Sequence, residues 1–513
     1  MNKHHLVILI FCAGILWSCG SDIRDDQSVS LPNIIYVLAD DLGYGDLTAF
    51  NENGKIKTPH LDQMAAEGMM FTDAHTSSSV CTPTRYGILT GRYNWRSRIK
   101  KGVLNGYSTA LIPGSRSTVA SMLKNAGYHT AYIGKWHLGW DWTKDPEGQV
   151  DFAKEVTNIP NDLGFDYAYG HSGSLDMAPY VYVENGKSTA IPTDTTVNTG
   201  KYSWWRKGLT APDFVHEDVT PNFFRRGISY VKEQAGSKKP FFLYLPLPSP
   251  HTPILPTREW QGKSDLNPYA DFTMMIDDYM GQLLAAVKAA GIEENTLIIF
   301  TSDNGCSPAA KIQELVEKGH HPSYVYRGHK ADIFEGGHRV PFIVRWPKVI
   351  KPGTQSNQTI CTTDLMATCA DIVNYQLKDN EGEDSYSLMQ LFRDKPIDGT
   401  LREATVHHSI NGSFAIRQGD WKLSMCPGSG GWSFPKPNNK AVIDSLPPVQ
   451  LYNLKNDPGE KVNLQAQNPE KVAKLQALLT RYIEEGRSTP GTPQQNDGEK
   501  RWAQLWWMET NKN

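Results

Sequence analysis

The sequence predicts an α/β fold: a large mixed, mostly parallel sheet sandwiched by helices, then a smaller C-terminal domain with an antiparallel sheet and a helix. Three observations carry this expectation. Near-continuous apolar runs end abruptly in polar or Gly/Pro loops, helical patterns lie between those runs, and the character of the chain changes after about Leu391. The first run, Asn33 to Ala39, enters Asp40-Asp41-Leu42-Gly43. Helical patterns follow at Pro59–Glu67 and Thr118–Ala126, and the run His129 to Ile133 enters Gly134-Lys135-Trp136-His137-Leu138-Gly139. After a helical pattern at Pro221–Gln234, Phe241 to Leu245 enters Pro246-Leu247-Pro248-Ser249-Pro250-His251. A helical pattern at Tyr269–Ala290 precedes Thr296 to Thr301, which enters Ser302-Asp303-Asn304-Gly305, and a further strand is predicted at Phe342 to Arg345. Apolar runs without alternation suit strands covered on both faces, as in a parallel sheet. Beyond Leu391, short strand patterns at Ala404–His408, Ser413–Arg417, Trp421–Met425 and Gln450–Tyr452 are divided by Gly-rich turns, and Pro469–Glu485 reads as an amphipathic helix.

The chain has 513 residues, 39% of them apolar and 21% charged, with a formal net charge of −3. This balance excludes a broad nucleic-acid-binding surface, and any cationic site must be local. Lys3 and the apolar stretch Leu6 to Trp17 read as a secretory signal too short to span a membrane. Leu16-Trp17-Ser18-Cys19 resembles a bacterial lipobox, which implies cleavage before Cys19 and lipidation of its thiol. The expected organisation is a signal peptide over 1–18, a polar tether over 19–30, a catalytic α/β domain over 31–392 and a C-terminal α+β subdomain over 393–513. The expected location is outside the cytoplasm, periplasmic or at the cell surface, with the membrane reached only through the lipid on Cys19. Seven cysteines (12, 19, 81, 306, 361, 369 and 426) lack regular spacing, so no disulfide framework is predicted, with one or two bridges left open.

Ligands of such sheets gather beyond the carboxyl ends of the strands. Asp40, Lys135, His251 and Asp303 all stand at such ends, so they are expected to share one cleft despite their separation in sequence. Asp40, Asp41 and Asp303 with Asn304 offer three carboxylates and an amide oxygen, hard donors suited to Ca2+ or Mg2+ rather than zinc. Cys81 opens Cys81-Thr82-Pro83-Thr84-Arg85 where a helix is predicted to start. A thiol there, beside a cation, is expected to have a lowered pKa. Arg85 falls one turn later, on the same helix face.

The run C-T-P-T-R, followed by Thr90-Gly91-Arg92, resembles the signature of the type I sulfatases, the formylglycine-dependent members of the alkaline phosphatase-like superfamily. Gly134-Lys135-Trp136-His137-Leu138-Gly139 resembles the family's second signature. Ser249-Pro250-His251-Thr252-Pro253 and Arg327-Gly328-His329-Lys330, ahead of Glu335-Gly336-Gly337-His338-Arg339-Val340-Pro341, resemble two further family segments. The resemblance spans roughly Asn33 to Pro347. It implies that Cys81 is oxidised by a maturase to formylglycine, whose hydrate attacks sulfur. It implies one divalent cation, usually Ca2+, held by Asp40, Asp41, Asp303, Asn304 and the modified Cys81. By the same resemblance Arg85 steadies the nucleophile, Lys135 and Lys330 bind sulfate oxygens, His137 serves as base and His251 protonates the departing alcohol.

The implied substrate class is sulfated carbohydrate, of glycosaminoglycan or mucin type. The Gly-rich segment Tyr169 to Met177 is expected at the cleft rim, with His171 and Asp176 as candidate sugar contacts, and Trp136, Trp140, Trp142, Trp204 and Trp205 could supply a stacking face. Two rival readings stay open at this point: a phosphodiester or phosphonate hydrolase of the same superfamily, and a non-catalytic glycan-binding lipoprotein. The intact set of Cys81, Arg85, Lys135, His137, His251 and Lys330 speaks against the second.

Overall fold

The structure, a computed structural model, describes residues 30–508. The signal over 1–18, Cys12, the lipobox Cys19 and the tether up to residue 29 lie outside the described residues. Among those described, no helix is long and apolar enough to cross a membrane.

Ten strands form the main sheet: β1 (Asn33–Asp40), β2 (Met69–Phe71), β3 (His129–Lys135), β4 (Tyr167–His171), β5 (Val183–Glu184), β6 (Lys187–Ser188), β7 (Phe241–Pro250), β8 (Thr296–Ser302), β9 (Phe342–Arg345) and β10 (Thr354–Ser356). Their spatial order is β10-β2-β9-β8-β1-β7-β3-β4-β5-β6. The five central strands, β8-β1-β7-β3-β4, are mutually parallel, and antiparallel β9 and β5 flank them. Every residue of β7 and β8 is buried, as is all of β1 after Asn33, which is why these strands read as unbroken apolar runs.

Helices α1 (Pro59–Ala66), α2 (Cys81–Thr90), α3 (Val119–Asn125), α4 (Val219–Ala235), α5 (Pro268–Ala289) and α6 (Leu365–Ile372) cover the sheet in two groups. In one group α1 and α4 pack on α5; in the other α2 and α3 pack on α6. The segment Tyr169–Met177, expected at the cleft rim, is a strand for its first three residues, because β4 pairs in parallel with β3 from Ala131↔Tyr167 to Lys135↔His171. A two-stranded ribbon, Asp194–Asn198 with Trp205–Thr210, is a further element that the apolar pattern did not announce.

The C-terminal antiparallel sheet consists of β11 (Thr405–His408), β12 (Phe414–Gln418), β13 (Trp421–Ser424) and β14 (Gln450–Asn453), and helix α7 (Pro469–Glu484) packs on it. Tyr93, Trp95 and Cys361 of the main region share a buried cluster with Val406, Phe414, Leu479 and Trp507, so this sheet is fixed to the larger one through a common core. Cys81, Cys306, Cys361, Cys369 and Cys426 are all free and buried.

Candidate active site

Two adjacent parallel strands bring the acidic pairs together. The ladder between β1 and β8 runs to Ala39↔Ser302, so Asp40-Asp41 and Asp303-Asn304 leave the sheet side by side. Cross-bonds hold the two exits: the Asp303 N–H donates to the Ala39 carbonyl (3.0 Å), the Leu42 N–H to Ser302 Oγ (3.0 Å) and the Asp41 N–H to Asp303 Oδ1 (3.3 Å). Asp41 takes a positive φ of 67°, an uncommon conformation that turns the chain there.

Cys81 is the first residue of α2, after the extended Val80. Pro83 occupies the first turn, where its missing N–H leaves no bond unmade. Thr82 Oγ1 donates to the His137 carbonyl (2.8 Å) and accepts from the Leu104 N–H (3.2 Å), tying the helix start to the loop after β3. Gly134 permits that loop: a Cβ there would lie 2.0 Å from the Pro246 carbonyl oxygen. The outcome is that Cys81 Sγ and one carboxylate oxygen each of Asp40 and Asp303 lie within 4.8 Å of one another. A second grouping within the same limit joins Asp40, Asp41 and His251.

The basic side chains close around these acids. Lys135 pairs with Asp40 and reaches Ser174 Oγ at 3.2 Å, while Lys330 Nζ lies 2.7 Å from Asp41 Oδ1. Arg85, buried and on the same helix as Cys81, donates to the carbonyls of Lys135 (2.8 Å) and Leu247 (3.3 Å) as well as to Asp303. Its guanidinium thus braces the acids and does not line the cavity above Cys81. Asp40 is held well below the usual carboxylate range: burial opposes this, but Lys135, His251 and Arg85 outweigh it. Asp303 is pushed up to about 7 by burial and by the charge on Asp40, against the pull of Arg85.

The Cys81 thiol departs from expectation. Burial pushes its pKa up, and the nearby Lys135 and Lys330, which act the other way, do not compensate. The charges on Asp40 and Asp303 act in the same direction as burial.

Both predicted histidines are present with defined tautomers. His137 Nε2 lies 2.8 Å from the Leu104 carbonyl, so it carries the proton, and buried Nδ1 is left as an unpartnered acceptor. Burial, then Lys135 and Arg85, hold this imidazole well below its ordinary pKa. His251 Nδ1 lies 2.5 Å from the Thr252 carbonyl and is likewise the protonated nitrogen, which leaves Nε2 3.7 Å from Asp41 Oδ2. Burial and Lys330 lower its pKa, with Asp41 opposing.

Above these groups opens a cavity of about 290 Å³ lined by Cys81, His137, Asp176, His251, Lys330 and Trp204 among others. Asp176 pairs with Arg206, and its buried Oδ1 has no partner. His171 lies elsewhere: its ring stacks on Phe223 (centroids 5.8 Å apart, 15° between planes), it is buried, and it does not line the cavity. Trp136 and Trp140 are also buried, leaving Trp204 as the cavity-lining member of the predicted tryptophans. Sequence reasoning missed Ser174, Arg206 and Trp432, all in the lining. Only Ser174 had a signal, as part of the Gly-rich segment.

The donor set fits a hard divalent cation. Asp40 Oδ1, Asp41 Oδ2 and Asn304 Oδ1 are buried oxygens without a hydrogen-bond partner, all from the predicted ligand set. Such orphaned acceptors are rare in a folded interior unless something else satisfies them. A second buried group, His75, His338 and His407, is different in kind: Lys422 Nζ lies 3.0 Å from His338 Nε2 and Arg417 Nη1 3.0 Å from His75 Nε2. Cationic side chains thus already partner the Nε2 atoms of two of these histidines.

A cleft that gathers fixed positive groups and an oxygen-rich set about one cysteine is suited to cleaving an anionic ester. The sequence model of the Sulfatase family matches residues 32–375, and the chain belongs to that family; it is a sulfuric ester hydrolase. It is 34% identical to an N-acetylgalactosamine-6-O-sulfatase of Bacteroides thetaiotaomicron over 93% of this chain and 98% of that protein. It is 30% identical to human arylsulfatase A, over 84% of this chain and 83% of the relative. A solved sulfatase structure from work on Bacteroides thetaiotaomicron glycosaminoglycan metabolism superposes with a TM-score of 0.78 at 32% identity, covering 88% of this chain and 99% of that one.

Proposed function

We propose that this protein removes sulfate from sulfated carbohydrate, with the 6-sulfate of N-acetylgalactosamine or a closely related amino sugar as its substrate. The convergence of Cys81 with Asp40 and Asp303 within 4.8 Å is the observation that carries the catalytic part. The similarity to an N-acetylgalactosamine-6-O-sulfatase along nearly the whole of both chains supports the substrate.

In this reading Cys81, oxidised to formylglycine by a maturase, supplies the nucleophile as its hydrated aldehyde. A Ca2+ held by Asp40, Asp41, Asp303, Asn304 and residue 81 would neutralise charge on the sulfate and polarise that hydrate. The chain's own groups do the rest. Lys330 Nζ, at the cavity wall, and Lys135 Nζ, beneath it, attract the sulfate oxygens. His137 Nδ1, kept free of a proton by burial and neighbouring cations, takes a proton at the nucleophile. His251 holds its Nδ1 proton on the Thr252 carbonyl, so it acts as the acid only after taking up a second proton at Nε2, a form that the facing Asp41 favours, and it is that Nε2 proton which passes to the leaving alcohol oxygen. Buried Arg85 keeps Asp303 and Asp40 oriented. The protein would act outside the cytoplasm, anchored by a lipid on Cys19.

The test is release of inorganic sulfate from defined sulfated mono- and disaccharides, run beside phosphodiester and phosphonate esters. Release from a 6-sulfated amino sugar, with slower turnover of the phosphorus esters, is the expected result. Turnover of phosphorus esters alone would reject the proposal.

A further inference from the structure

We propose that Trp432, from the C-terminal subdomain, is a stacking platform for the sugar ring that carries the sulfate, and hence a specificity-determining residue; this rests on the carbohydrate-sulfatase reading above. Trp432 lines the same 290 Å³ cavity as Cys81, although it stands 351 positions away in sequence. It is 41% exposed. An indole that is open to solvent and also lines a cavity offers an apolar face with a polar edge to whatever enters it.

The backbone beneath the platform is held in place. The buried Asp332 carboxylate accepts from the Trp432 and Ser433 N–H groups through Oδ1 (2.8 and 3.0 Å) and from the His329 N–H through Oδ2 (3.0 Å). The Ile333 N–H donates to the Ser429 carbonyl at 2.7 Å. Gly431 fits closely under this clasp, since a Cβ there would lie 2.3 Å from the Ala331 carbonyl oxygen. Trp432 is therefore tied to the segment that carries Lys330, whose own N–H donates to the Cys306 carbonyl at 2.9 Å. The backbone that bears the indole and the backbone that bears a sulfate-attracting ammonium are therefore braced together, which reduces the ordering that binding must impose.

Other residues of the cavity show what the indole would face. Trp204 is half-buried in the lining, with the Arg206 guanidinium carbon 5.5 Å from its ring centroid. Arg206 is half-exposed and pairs with Asp176, whose buried Oδ1 lacks a partner. Flat apolar faces beside an unsatisfied acceptor and a reachable donor match a pyranose, with its C–H face and its hydroxyl edge. A bare sulfate ion needs only the floor of the cavity and would not touch Trp432.

That difference gives the test. Trp432→Ala and Trp432→Phe are compared with wild type for N-acetylgalactosamine 6-sulfate hydrolysis and for competitive inhibition by inorganic sulfate. Trp432→Ala should raise KM about tenfold or more, the usual size of a good aromatic anchor, with kcat nearly unchanged. The inhibition constant of sulfate should stay at the wild-type value, and Trp432→Phe should recover most of the lost KM. An unchanged KM in Trp432→Ala would overturn the proposal. So would parallel shifts in KM and in sulfate inhibition, which would mean that the loop merely positions Lys330. A wild-type enzyme that binds sulfate yet hydrolyses no sugar sulfate would instead reject the carbohydrate reading, and this platform with it.

Discussion

Arg85 places both Nε and Nη2 against a single oxygen of Asp303, at 2.9 and 2.8 Å, with neither residue exposed to solvent. A charge this buried is stable only while its partners stay in place. Removing one member of a buried pair typically costs about 3–5 kcal/mol, because the other is left uncompensated. Arg85→Ala should therefore lower the thermal midpoint markedly as well as abolish turnover. Arg85→Lys keeps the charge but cannot reproduce the fork, and should fall between the two. Melting curves of the three proteins decide this, and an Arg85→Ala protein as stable as wild type would contradict it.

Cys81 behaves differently, because among the described residues its side chain makes no hydrogen bond that holds the fold. Cys81→Ala should melt close to wild type and lose turnover by at least about 10⁴-fold, as expected when a nucleophile is deleted. Intact-protein mass spectrometry of wild type, produced with a maturase, should show residue 81 converted from thiol to aldehyde. Full activity with an unmodified thiol would reject the assignment of the nucleophile.

The cation set can be tested without reading activity. The Tyr269 hydroxyl sits between the Asp41 carbonyl (3.0 Å) and the Asp46 carboxylate, and so supports the left-handed backbone that aims Asp41. Outer-shell partners of this kind are commonly worth 10- to 100-fold in metal affinity. In calorimetric titration of chelator-treated protein, Tyr269→Phe should weaken Ca2+ binding by about that factor, and Asp303→Ala should eliminate it. Equal affinity in all three proteins would remove these acids from the ligand set.

What the sequence made legible follows from burial. β1, β7 and β8 are buried on both faces, so their apolar runs and polar exits located Asp40, His251 and Asp303 directly. β9 and the four C-terminal strands agree with the expected spans to within about one residue at each end, because their turns carry clear glycine signals. β4 was hidden: Gly170 and His171 make it look like a loop, and only its pairing with β3 defines it. The His171 ring at the end of that strand lies on Phe223 and outside the cavity lining. The ribbon carrying Arg206 is largely exposed and lacks an apolar run, and Trp432 reaches the cavity through a clasp from Asp332, so neither left a local trace.

The lipobox reading has its own test. Cys19→Ala should shift the protein from the membrane pellet to the soluble fraction with sulfatase activity intact, because lipid attachment through that thiol would be the sole anchor. Unchanged fractionation would reject it.

Asp277, remote from the chemistry, gives a pH-dependent prediction. Its carboxylate, on α5, accepts from the Leu61 and His60 N–H groups at the start of α1, at 2.8 and 3.2 Å. Burial pushes its pKa up from an ordinary 3.8 to about 6, against the pull of those two N–H groups and of His60, while Asp62 adds a further push upward. The folded protein thus holds this proton more tightly than the unfolded chain does. The associated stability is complete below the unfolded value and is lost as pH rises through about 6, a change of about 3 kcal/mol. Asp277→Asn cannot ionise; it keeps an acceptor for one of the two N–H groups and forfeits the other, at about 1 kcal/mol. Between pH 4 and pH 7 the wild-type midpoint should therefore fall relative to that of Asp277→Asn, with the difference levelling off above about pH 6.5. Parallel curves for the two proteins would show that Asp277 is ionised in the fold throughout this range.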